Sequence, residues 1–239
     1  ATAPSNSSVG LAYVVGTAAE RTRVLGTDIL LDALCGSNEA PLKRRVLDAG
    51  LADDFSAILV DGVLQPHALL ILRGLRDGAG ERFRALVEET CAELAEGGIP
   101  RDKLEASLAQ AEFNLREGDF GGYPDGVALS IAALSGWLYD DGRALDYLRY
   151  EDALAELKRG LDEGYFERLL RELVCESKHA AEVELIPVEE GDDAEEAAEL
   201  ARLRAGMGEK DLEAVRAEVA ALRAEQEAPD APEALAALP

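Results

Sequence analysis

An α+β fold, mostly helical with a small partial sheet, follows from three features of these 239 residues. Hydrophobic residues make up 48% of the chain, a globular composition with enough material for a sizeable core. Helical apolar spacing recurs along most of the length, as in Leu104, Leu108, Ala111 and Leu115 at steps of 4, 3 and 4. Only three segments have the short apolar or alternating pattern of strands: 9–15, 67–75 and 181–188.

Residues 1–8 are polar and form a lead-in. Val9 to Val15 is a buried strand ended by Gly16, and Thr17 with Glu20 three residues on fits a capping box. Leu25, Ile29, Leu30 and Leu34 continue that helix, and Gly36-Ser37-Asn38 breaks it. Leu42 to Ala49 is a short helix stopped by Gly50, and His67 to Leu75 is the second strand. Helices follow over Phe83 to Leu94 and from Pro100 to Leu115, then a Gly-rich loop between Glu117 and Gly126. Val127, Ile131, Leu134 and Leu138 repeat the 4, 3, 4 spacing in a helix that ends near Tyr139-Asp140. Two more helices carry Leu154, Leu157, Leu161 and Leu169, Leu170, Leu173. Ala181 to Val188 alternates before Pro187 and reads as an edge strand. Beyond it, residues 182–230 hold 5 basic and 16 acidic side chains, net −11, with helices over 195–204 and 211–224. The domain division expected is 1–8 lead-in, 9–190 α/β portion with its helices, and 191–239 acidic helical linker. About nine helices over three strands is an imbalance that suggests a piece of an α+β protein with further strands outside these residues; a self-contained mixed domain is the alternative.

Charge excludes some functions. With 24 Lys+Arg against 48 Asp+Glu the net charge is −24, which repels phosphate backbones and anionic lipid. No nucleic-acid or membrane partner is expected, and no apolar run is long enough to span a bilayer. With no basic-then-apolar leader in view, cytoplasmic residence is the default expectation.

Candidate chemistry is sparse. His67 and His179 are the only histidines, and neither HExxH nor HxxEH can be written from them. Each reads as a strand-edge or turn residue. Cys35, Cys91 and Cys175 form no CxxC and read as small hydrophobes. Gly78-Ala79-Gly80 begins a dinucleotide fingerprint, but Phe83 occupies the position of the third glycine. The pairs Asp53-Asp54, Asp140-Asp141 and Asp192-Asp193 are turn formers. Trp137 and Tyr139, with Phe113 and Phe120, fit either core packing between two helices, the favoured reading, or the wall of a peptide chamber. No catalytic, cofactor-binding or metal residue is nominated.

Four segments carry a family resemblance. They are Ile99-Pro100 with Leu104 to Glu117 (LEASLAQAEFNLRE), the loop Gly121 to Val127 followed by Trp137-Leu138-Tyr139-Asp140, Leu148 to Glu151 (LRYE), and Leu222 to Asp230. In this order they resemble the pitrilysin/insulinase family of zinc peptidases, its presequence-protease-like branch, over residues 9 to 239. The resemblance implies a non-catalytic middle segment: the end of the second α/β domain plus the helical linker between two halves that close around a peptide. Zinc is then expected in the parent protein and none in this chain, because the motif that holds it is missing here. The partners implied are the other domains of the same chain and, in the full-length protein, a peptide substrate. Cationic peptides would be drawn to so acidic a wall, more weakly as salt rises. Asp125 stands where a basic residue is expected, which departs from the family at that loop. The alternative from another class is an acidic helical protein-interaction module.

Overall fold

The computed structural model describes residues 7–76, 78–118, 122, 124–187 and 193–228. It divides into two compact units, Ala1–Pro187 and Val188–Pro239.

The first unit is built on a four-stranded sheet. Strand β1 (Ser8–Val14) alternates in burial as its sequence does, with Val9, Leu11 and Tyr13 in the core. Strand β3 (His67–Arg73) does the same with Ala68, Leu70 and Leu72. The two pair antiparallel with Leu11 opposite Leu70. Strand β2 (Asp54–Val60) adds antiparallel to β3, and β4 (Ala180–Leu185) adds antiparallel to the other side of β1, giving the order β2-β3-β1-β4. β4 is exposed along its whole length, as expected of an edge. β2 is absent from the sequence expectation. Its burial does not alternate, and only Phe55 is fully covered, so period-2 patterning is weak there. The signal available was the run Phe55 to Val60 between the turn residues Asp53-Asp54 and Asp61-Gly62.

Helices cover the sheet. α1 (Arg21–Cys35) is central, with ten buried residues, and it packs on α4 (Arg101–Glu117), α2 (Pro41–Asp48), α6 (Glu151–Gly160) and α7 (Tyr165–Leu170). Ser107 of α4 donates to Asp32 Oδ2 of α1 at 2.6 Å, which satisfies a buried hydroxyl. α3 (Ala79–Gly97) is fixed to β2 through Phe83 and Phe55, both fully buried, with ring centroids 5.9 Å apart at 71°. Gly78 precedes α3 in the left-handed region, φ 68°, so Gly78-Ala79-Gly80 is a helix entry. α5 (Asp125–Trp137) and a short 3₁₀ turn (Asp141–Arg143) precede α6; α7 runs into a π-type turn over Arg171–Cys175.

The expected capping box forms only in half. Glu20 Oε2 accepts from the Thr17 N–H at 2.7 Å and from its hydroxyl at 3.1 Å, but α1 starts at Arg21 and Thr17 does not cap it. Ala18 explains the offset. It is buried, donates its N–H to the Leu64 carbonyl at 3.0 Å and accepts from Tyr147 Oη at 3.2 Å. Those long-range bonds hold the entry as a turn.

The second unit has two helices among its described residues, α8 (Asp193–Ala205) and α9 (Glu209–Glu227). Asp211 Oδ2 accepts from the Gly208 N–H at 2.9 Å at the start of α9.

Candidate functional site

The two histidines come closer in the fold than in sequence. Val14 is registered opposite His67 on one side, and its N–H donates to the His179 carbonyl at 3.1 Å on the other. Their backbones are therefore two strand spacings apart, about 10 Å. His67 Nδ1 lies 3.3 Å from the Gln65 carbonyl. Among the described residues no group of three or more His, Cys, Asp or Glu could hold a metal ion. Cys35 and Cys91 are buried and Cys175 is exposed. Burial pushes the Cys35 thiol up to about 12 and raises Cys91 further.

The acidic pairs have local partners. Asp53 binds Arg76 at 2.6 Å, Asp54 lies 3.6 Å from Arg73, and Asp140 Oδ1 accepts from the Gly142 N–H at 2.9 Å. Asp192 lies outside the described residues. Asp125 is the first residue of α5, where its charge suits the helix dipole. Of the loop before it, residues 119–121 and 123, with Phe120, lie outside the described residues.

The polar group the sequence did not single out is a cleft of about 440 Å³. α1 supplies Arg21 and Asp28, the end of β2 supplies Leu59 and then Asp61, and α4 supplies Ala111, Asn114 and Leu115. The Arg21 guanidinium carbon sits 4.6 Å from the centre of the Tyr147 ring. Its Nε is buried with no hydrogen-bond partner. Burial lowers the Arg21 pKa, opposed by Tyr147, Asp61 and Asp28. The Asp28 carboxyl is raised, first by desolvation, then by repulsion from Asp61 and Asp32, with Arg21 opposing. Asp28 does reach solvent at the mouth of the cleft, so the walls limit its hydration without sealing it off. Two carboxylates against one guanidinium leave the cleft net negative, a setting for a basic side chain. These residues come from three separate elements, so no local motif announces them.

The aromatic residues overturn the favoured core reading. Trp137 is 51% exposed and Phe113 59%, and Tyr139 is also exposed. Along α5 the stripe Val127, Ile131, Leu134 and Leu138 faces solvent. Only Ser135 and Gly136 of that helix are buried. Helical spacing picks out this stripe, yet Leu129, away from it, is exposed as well, and spacing does not say what covers an apolar surface.

No protein-family model matches the chain. Solved structures share the fold. An inactive peptidase domain from Bordetella parapertussis superposes with a TM-score of 0.61 at 18% identity, over 77% of this chain and 94% of that one. A peptidase M16 inactive domain from Pseudomonas fluorescens gives 0.52 at 16% identity, over 78% and 42%. Two curated proteins are closer in sequence. Protein HypA of Clostridium perfringens is 32% identical over 237 residues, 98% of this chain and 24% of that protein. Presequence protease 1, chloroplastic/mitochondrial, of Arabidopsis thaliana is 33% identical over 214 residues, 86% of this chain and 20% of that protein. The chain belongs to the pitrilysin/insulinase family of zinc peptidases and spans a fifth to a quarter of the length of these two relatives.

Proposed function

We propose that this chain is a non-catalytic segment of a zinc metalloendopeptidase that degrades peptides. Residues 9–190 form the C-terminal portion of its second α/β domain, with the helices that follow, and contribute to the chamber wall. Residues 191–239 form the helical linker between the two halves. The observation that carries this reading is the 33% identity with a presequence protease over 86% of the chain, in a sequence where no HxxEH can be written. The fold match to inactive peptidase domains supports it. Zinc belongs to the parent protein. The residues described here do not fit it, since no three ligand-type side chains converge, and no chemical step is assigned to them. Their work is geometric: α1, the end of β2 and α4 hold the Arg21–Asp28–Asp61 cleft in place, and α5 presents its apolar stripe as surface. No described helix is long and apolar enough to cross a membrane. Cytoplasmic residence of the parent is part of the proposal, and cell fractionation tests it.

The deciding experiment compares the full-length polypeptide with this chain alone. The full-length protein should cleave peptides and lose that activity to a zinc chelator. The purified chain should be inert. Peptide cleavage by the chain alone, or stoichiometric tight zinc binding by it, overturns the reading.

A further inference from the structure

The exposed face of α5 has an occupant that can be argued. From Gly126 to Tyr139 no residue carries a charge, and Val127, Ile131, Leu134 and Leu138 fall on one stripe, with Ile131 55% and Leu138 65% exposed. Among the described residues, the contacts that hold this helix gather at its last turn. Gly136 lies so close to the chain beyond it that a Cβ there would sit 2.7 Å from the Arg143 carbonyl oxygen. Tyr139 Oη donates to the Gly62 carbonyl at 3.4 Å. A thirteen-residue helix gains little from propensity in water and draws its stability from burying an apolar face. A contiguous apolar stripe of this kind marks an interaction surface.

Two observations select the partner. The relatives align along 98% and 86% of this chain yet extend far past it, since the matched parts are 24% and 20% of their lengths. A partner in the same polypeptide is held at an effective concentration of about millimolar or more, so a modest patch suffices. The net-negative cleft adjoins α5, because Gly62, which Tyr139 bonds, follows Asp61 of the cleft wall. Asp61 and Asp28 on this rim therefore suit a basic side chain on the surface that covers it.

We propose that the α5 stripe is an intramolecular docking face, covered in the full-length polypeptide by an apolar surface with a basic rim from outside residues 1–239. This rests on the reading of the chain as a segment of a longer peptidase. It narrows that reading, because a covered α5 is an interface and not an open chamber wall.

Hydrogen exchange read by mass spectrometry tests it on the full-length protein and on this chain. The amides of 127–138 should exchange at least about ten-fold more slowly in the full-length protein. The double substitution Val127→Glu and Ile131→Glu should abolish that protection. In the isolated chain it should leave the thermal midpoint unmoved, since both side chains are exposed there. Equal exchange in the two proteins overturns the proposal. So does protection of α5 in the isolated chain, whether constant or rising with concentration, because the second unit or a second copy would then be the occupant. Peptide cleavage is measured on the same full-length sample. Protection without cleavage sinks the peptidase reading and leaves the docking face standing; cleavage without protection does the reverse.

Discussion

Asp28 carries a cost that its neighbours impose. Its carboxyl is raised by desolvation and by Asp61 and Asp32, so the folded protein binds that proton more tightly than the unfolded chain does. Stability from this group therefore falls as pH rises from about 4, the free carboxylate value, through the raised folded pKa. Asp28→Asn should melt at a higher temperature than the parent chain at pH 7, and the gap should close near pH 3. A lower midpoint for the variant at pH 7 would mean that Arg21 does more for Asp28 than burial does against it. The cysteines give a second residue-level test. A thiol reacts as its thiolate, and Cys35 and Cys91 are both buried and held far above neutral pKa. At pH 8 a disulfide reagent should titrate one thiol of three in the native chain and all three in denaturant. Cys175→Ser should remove the native reaction.

At the scale of elements, the contrast is between α3 and α5. α3 is locked to β2 by Phe83 on Phe55, so Phe83→Ala should cost about 3–5 kcal/mol and lower the main thermal transition. α5 hangs on the approach of Gly136 to the Arg143 carbonyl, a backbone atom that cannot rotate away. Gly136→Ala should cost about 1–3 kcal/mol, met by detaching the last turn of α5 rather than by opening the core. Acrylamide quenching of Trp137, the single tryptophan, should then rise while the main transition stays put. This contrast also shows which parts were legible beforehand. β1, β3 and α4 were readable because each has one apolar face with a clean period, and α5 because Val127, Ile131, Leu134 and Leu138 keep helical spacing. β2 was not, since one fully buried residue sets no period. The core assignment of Trp137 failed because periodicity names a face and not its cover. The cleft was invisible because Arg21, Asp61 and Asn114 meet only once α1, β2 and α4 have packed.

For the whole molecule the governing quantity is charge. If each of the 24 basic side chains neutralised one acid, 24 of the 48 acidic ones would still have no basic partner. Ion pairs do form, among them Arg23–Glu172 at 2.6 Å, Lys158–Glu112 at 2.6 Å and Arg84–Glu182 at 2.7 Å. They lie at the surface, where each contributes at most about 1 kcal/mol and salt weakens it. The surplus of negative charge acts over longer distances. It opposes the compact state more than the expanded one, and salt screens it beyond a Debye length of about 8 Å near physiological strength. The two effects of salt have opposite sign, and the arithmetic of the surplus decides between them. The chain should therefore melt at a higher temperature in about 0.3 M sodium chloride than in about 0.01 M. A midpoint that falls with added salt would show that the local pairs outweigh the surplus. Replacing Glu112, which lies within reach of both Lys158 and Arg116, should then account for part of that fall.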